Sequence, residues 1–145
     1  MDMLFIADAL ELFKPTKDTT FSMMRECAKR GHTLWACEPR HIVWQLGGRV
    51  TALAARQVAL TKHETHDWFA VEQTRDVALA DVGAVLMRKD PPFDSEYFYA
   101  THLLQQAERE GASVFNKPAA LRDHPEKLAI LEFPQFIGPT IVTRE

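Results

Sequence analysis

The chain has 145 residues, 46% of them hydrophobic and 26% charged, with a formal net charge of −3 at pH 7. A single domain of that length buries about 70% of its unfolded surface, so it needs neither disulfide staples nor a structural metal. The mild acidity and the lack of a basic block exclude nucleic acid as a main partner, and no apolar run approaches the ~18 residues of a membrane span. The opening MDMLFIADAL has no basic n-region, so it does not read as a signal peptide, and the location reads as cytoplasmic. Cys27 and Cys37 read accordingly as two buried free thiols.

In chain order, MLFIA at 3–7 is an apolar run short enough for a buried strand, with Asp8 at its carboxyl end. Residues 9–17 read as a loop broken by Pro15. A helix is expected over 18–30, with Asp18 at its start and Lys29-Arg30 at its end, as the macrodipole prefers. Phe21, Met24, Cys27 and Ala28 form its apolar face, and core packing explains that stripe. Gly31 closes the helix and 33–37 is the next strand. Gly47-Gly48, flanked by 41–46 and by Val50 onward, predicts a small hairpin with a two-residue turn. Residues 61–67 are polar and read as a loop, 68–71 as a short strand and 75–81 as a connector. His63 and His66, beside Glu64 and Asp67, could be imagined as a metal pair, but no third ligand stands at a fixed spacing and a solvated loop is the better reading.

The stretch from Val82 to Pro118 carries the unusual feature. Residues 82–87 are a second buried strand that stops on Arg88-Lys89-Asp90. Pro91-Pro92 forbids helix there, and Asp94 is a good N-cap for a second helix. Phe93, Tyr97, Ala100, Leu104 and Ala107 share one helical face, Gly111 ends the helix, and 113–115 starts another strand before the Asn116-Lys117-Pro118 turn. Residues 119–123 and 126–131 read as short helical pieces broken by Pro125, and 140–143 as a last strand or the start of a linker. The grammar of strand, loop, helix, Gly, strand occurs twice, which predicts two parallel, right-handed βαβ units. The expected fold is α/β: a mainly parallel sheet with helices on both faces, plus the small hairpin.

A charged loop at the carboxyl end of a buried strand is where open α/β sheets bind ligands. An arginine there can grip a carboxylate with a bidentate fork. The competing reading of Arg88 is a solvated loop with an internal Arg–Asp pair. Asp8 and Asn116 also follow expected strands and join the candidate site. Lys127, read without other information, is an exposed helix lysine. GxGxxG and GxxxxGK[ST] are both missing, so neither common nucleotide fingerprint applies.

MRKDPPFD with the following YFYAT, together with KDTTF at 17–21, LAD at 79–81, NKP at 116–118, LRD at 121–123 and EKL at 126–128, resembles the amino-terminal domain of bacterial glutathione synthetase, an ATP-grasp ligase. The resemblance spans essentially the whole chain. It implies a Rossmann-like pre-ATP-grasp substrate-binding domain over 1–123, and over 124–145 the start of the connection to an ATP-grasp domain that this chain lacks. It implies ATP-dependent ligation of γ-glutamylcysteine to glycine, with Mg²⁺ on the phosphates, through phosphorylation of the cysteinyl carboxylate and attack by the glycine amine. It further implies that Arg88 contacts the peptide, that the Asp8 loop borders the peptide site, and that Lys127 reaches a nucleotide phosphate. The 145 residues alone are expected to be inactive. Homo-oligomer formation stays open, as does the alternative of a non-catalytic binding or oligomerisation module.

Overall fold

The structure is a computed structural model and describes residues 1–61, 67–125, 127–143 and 145. Seven strands form one sheet: β1 (Asp2–Ile6), β2 (Thr33–Cys37), β3 (Ile42–Val43), β4 (Thr51–Leu60), β5 (Phe69–Ala78), β6 (Ala84–Met87) and β7 (Val114–Phe115). Among the described residues three α-helices accompany them: α1 (Thr19–Lys29), α2 (Ser95–Arg109) and α3 (Pro118–Asp123). Among the described residues no helix is long and apolar enough to cross a membrane.

The centre of the sheet is parallel. β1 lies between β2 and β6, and β6 pairs onward with β7. Side chains alternate across these strands, so each strand feeds two cores. Leu4, Ile6, Trp35, Val85 and Met87 pack with Ala100, Leu104 and Ala107 of α2. Phe5, Leu34, Ala36 and Leu86 pack on the other face with Phe21 and Met24 of α1. The helices therefore cover opposite faces, as expected. Topology explains it: the chain steps outward from β1 to β2 and, in the other direction, from β6 to β7. Right-handed crossovers running in opposite directions put their helices on opposite faces. Cys37 belongs to the α2 core and Cys27 packs at the edge of the α1 core, so the sheet separates the two free thiols. Cys37 is buried, but Cys27 is only half-buried.

The α/β fold is as expected, but the other half of the sheet is antiparallel, so the sheet is mixed rather than purely parallel. β4 pairs antiparallel with β2, β3 and β5. β5 takes one edge of β4, so β2 and β3 share the other. The Gly47-Gly48 turn exists, with Gly48 N–H donating to Gln45 O at 2.8 Å and Gly47 at φ 78°. Its hairpin is not a two-residue one, because Val43 pairs with Thr51 and the chain between them bulges out with Leu46 exposed. The larger hairpin is β4–β5. Residues 75–78 belong to β5 rather than to a connector, because an edge strand with a solvated face tolerates Glu72, Gln73, Thr74, Arg75 and Asp76 without apolar alternation. His63 and His66 lie outside the described residues.

Helix ends follow local chemistry. Asp18 Oδ1 accepts from Thr20 N–H at 2.7 Å and Phe21 N–H at 3.1 Å, and Asp94 Oδ1 accepts from Tyr97 N–H at 2.9 Å. Both long helices finish in the same paired motif. Gly31 and His32 N–H bond back to Ala28 and Cys27 O, while Gly111 and Ala112 N–H bond back to Glu108 and Ala107 O. Gly31 at φ 78° and Gly111 at φ 102° occupy the left-handed position that this motif requires. After α3 the chain is irregular, with short 3₁₀ turns at Leu128–Glu132 and Pro134–Phe136 and no strand at 140–143.

Candidate anion-binding cleft

The direction of chain winding reverses between β1 and β6, which makes the carboxyl ends of these neighbours the switch point of the sheet, the usual ligand crevice. Asp8 follows β1 and Arg88 follows β6. Arg88 N–H continues the ladder by donating to Ile6 O at 2.7 Å, so the loop leaves the sheet at a defined place. The loop is then tied on two sides. Asp8 accepts from Lys89 Nζ at 2.9 Å through Oδ1 and from Asp90 N–H at 3.0 Å through Oδ2. On the other side, Arg88 Nη2 donates to Thr19 Oγ1 at 2.9 Å and Nε to Thr20 Oγ1 at 3.2 Å. These bonds replace the internal Arg–Asp pair of the competing reading: Asp90 engages Asp8 through its backbone, not Arg88.

Beside the loop lies a cleft of about 530 Å³ lined by Arg88, Lys89, Phe93, Asn116, His124 and Lys127, among others. Three of the four candidate residues, Arg88, Asn116 and Lys127, therefore share one cavity. Asp8 does not line it. It opens instead on another cavity of about 390 Å³, where Glu11 pairs with Arg56 at 2.6 Å, Glu38 with Arg40 at 2.8 Å, and Asp8 itself with Lys89. The Arg56 guanidinium holds the Glu11 carboxyl below the usual range. The first cleft differs in kind. Arg88, Lys89, His124 and Lys127 face it, and none of its described lining residues is a carboxylate. Phe93, its ring tilted at 42° against that of Tyr97 with the centroids 4.8 Å apart, gives it an apolar wall. Lys89 is paired with Asp8 and His124 with Glu132, both from outside the lining, whereas Arg88 and Lys127 have no carboxylate partner among the described residues; two such cations beside an apolar wall suit an organic anion.

His124 is a member that the sequence does not advertise. Its Nδ1 lies 2.6 Å from Glu132 Oε1, and this bond holds the imidazole above its ordinary pKa. The two residues are eight apart in irregular chain, a spacing with no periodic signal. Thr19 and Thr20 are likewise ordinary as a helix start until Arg88 arrives from a distant strand. No group of His, Cys, Asp and Glu suited to a metal ion occurs among the described residues.

Comparison with known proteins points the same way. Residues 1–122 match the family described as prokaryotic glutathione synthetase, N-terminal domain. Over its whole length the chain is 52% identical to a glutathione synthetase of Ralstonia nicotianae and 44% identical to one of Nitrosomonas europaea, covering 44% and 45% of those proteins. It is 48% identical, over 99% of its length, to the Neisseria meningitidis serogroup B glutathione synthetase, covering 45% of it. The chain thus spans a little under half the length of the relatives it matches. With a family match over most of the chain, and with the MRKDPPFD loop set at the switch point of an α/β sheet, the chain belongs to the prokaryotic glutathione synthetase N-terminal domain family.

Proposed function

We propose that this chain is the substrate-side domain of a cytoplasmic, ATP-dependent ligase that joins γ-glutamylcysteine to glycine. One observation carries the reading: the cleft at the switch point presents Arg88 and Lys127, neither paired with a described carboxylate, beside Lys89 and His124, whose carboxylate partners Asp8 and Glu132 lie outside its lining. γ-Glutamylcysteine offers carboxylates to such a cleft, and a fork-shaped guanidinium is the group that grips a planar carboxylate in two places. In this reading Arg88 binds the peptide carboxylate and Asn116 donates or accepts beside it. Asp8 borders the site through the loop that it holds. Lys127 meets a phosphate of ATP as a point charge. When bound, ATP supplies the phosphoryl group that activates the cysteinyl carboxylate, and the glycine amine then displaces phosphate. This domain binds and orients the peptide.

The test uses the chain joined to the carboxyl-terminal part of the Ralstonia relative. Arg88→Ala should raise KM for γ-glutamylcysteine about ten- to a hundredfold, the loss of ~1.5–3 kcal/mol from a charge-assisted bond, with KM for ATP within about twofold of the parent. The 145 residues alone should release no ADP with γ-glutamylcysteine, glycine and Mg²⁺. An unchanged peptide KM removes Arg88 from the site, and steady ADP release by the short chain overturns the division of labour.

A further inference from the structure

Thr20 and Thr101 are the only buried polar residues among those described, at 3% and 0% exposure. A hydroxyl sealed from water must find a partner or cost about 1–3 kcal/mol, and each of these two accepts a bond from an arginine. Thr101 Oγ1 accepts from Arg122 Nη1 at 3.2 Å, and Arg122 Nη2 also donates to Gln105 Oε1, which ties α3 to α2. Thr20 Oγ1 accepts from Arg88 Nε, and its exposed neighbour Thr19 accepts from Arg88 Nη2. Arg88 lines the cleft itself, and Arg122 lies within α3, whose Leu121 and the following His124 also line it.

We infer that Thr19 and Thr20 are positioning residues for Arg88 in the ligase reaction, a reading that rests on the peptide-binding role proposed above. Arginine has five donors in a rigid plane. Two acceptors on one edge, both on the first turn of α1, fix the rotation of that plane. Nη1 and the second N–H of Nη2, which together form the end-on fork, have no acceptor among the described residues and are left for a ligand. Asp18 fixes the threonines in turn, because its carboxylate accepts from the backbone N–H of Thr20. An unanchored guanidinium keeps its charge but samples many rotamers, and ordering it on binding would cost affinity. The two threonines remove that cost before the substrate arrives. The effect belongs to peptide binding and not to ATP, because both threonines bond to Arg88, the group assigned to the peptide, and neither lines the cleft to touch a ligand itself.

Two measurements test this. In the 145-residue chain, the Arg88 Nε–Hε signal, identified by its loss in Arg88→Lys, should exchange slowly with water. Thr20→Val, which keeps the shape and removes the acceptor, should speed that exchange about tenfold, the equivalent of ~1.4 kcal/mol. Thr20→Ser should restore it. In the chain joined to the Ralstonia carboxyl-terminal part, Thr20→Val should raise KM for γ-glutamylcysteine about tenfold and leave KM for ATP within about twofold, with Thr20→Ser near the parent. Should Thr20→Val fail to fold, Thr19→Ala removes the exposed acceptor alone and should raise peptide KM in the same selective way. If Arg88→Ala raises peptide KM but the threonine variants do not, the positioning role is refuted and the binding role stands. If Arg88→Ala leaves KM unchanged, the binding role falls, and the exchange measurement alone decides whether the threonines hold Arg88.

Discussion

Replacing Asp18 with Ala tests how a local cap supports a distant loop. Asp18 Oδ1 serves two N–H groups at the start of α1, those of Thr20 and Phe21, which have no partner inside the helix. Loss of such a cap costs about 1 kcal/mol, rising to ~2 kcal/mol where a carboxylate also faces the positive end of the dipole. For a domain of this size 1 kcal/mol moves Tm by about 3 °C, so Asp18→Ala should melt about 3–6 °C below the parent. Asp18→Asn keeps the acceptor and loses only the charge, worth about 0.3–1 kcal/mol, so its Tm should fall by about 1–3 °C. Thermal unfolding followed by circular dichroism at pH 7 separates the three proteins. The consequence reaches Arg88, since a frayed first turn moves both of its threonine acceptors. The Arg88 Nε–Hε signal should therefore exchange faster in Asp18→Ala than in Asp18→Asn. If both variants melt with the parent, the cap is not holding the helix start and the supporting role assigned to α1 is wrong.

Burial pushes the Cys37 thiol up to about 12 while Cys27 is only half-buried. A thiol reagent at pH 8 should therefore modify Cys27 in the native chain and Cys37 only after denaturation; equal rates would contradict the assignment. The raised value also sets a sign. Above an unfolded value near 9.0 the folded state retains a proton that the unfolded state loses, so stability falls as pH rises from about 9 toward 12. That loss should be smaller in Cys37→Ala, as measured by urea unfolding at pH 8 and pH 10.5. For His124, raised by Glu132, proton titration by NMR should give a midpoint above the ordinary 6.5, and Glu132→Gln should return it toward that value. The positive charge that His124 adds to the cleft should then be lost at lower pH in the variant, and an unchanged midpoint would dissociate the pair.

Much of the fold is written in short-range signals. The strands around 3–7, 33–37 and 82–87, the caps at Asp18 and Asp94, and the stops at Gly31 and Gly111 each depend on residues within a few positions, and all appear where local chemistry puts them. The loop at Arg88 to Pro92 was legible as a ligand-facing strand end for the same reason. The β4–β5 hairpin was not, because an edge strand buries little and its polar residues carry no alternation to read. The cleft was only partly legible. Arg88, Asn116 and Lys127 could be named, but their meeting in one cavity depends on the sheet bringing β6, β7 and the segment after α3 side by side. Asp8 was placed at the right strand end, yet which cavity it faces was decided by its bonds to Lys89 and Asp90 across 81 or more residues of chain. Thr20 shows the limit most clearly: its identity suits a helix start, and only burial against a strand end 68 residues away makes its hydroxyl an anchor for Arg88. A sequence determines which groups are available and which local turns they favour. Long-range pairing determines which of those groups lose water together, and that shared desolvation gives their hydrogen bonds a functional consequence.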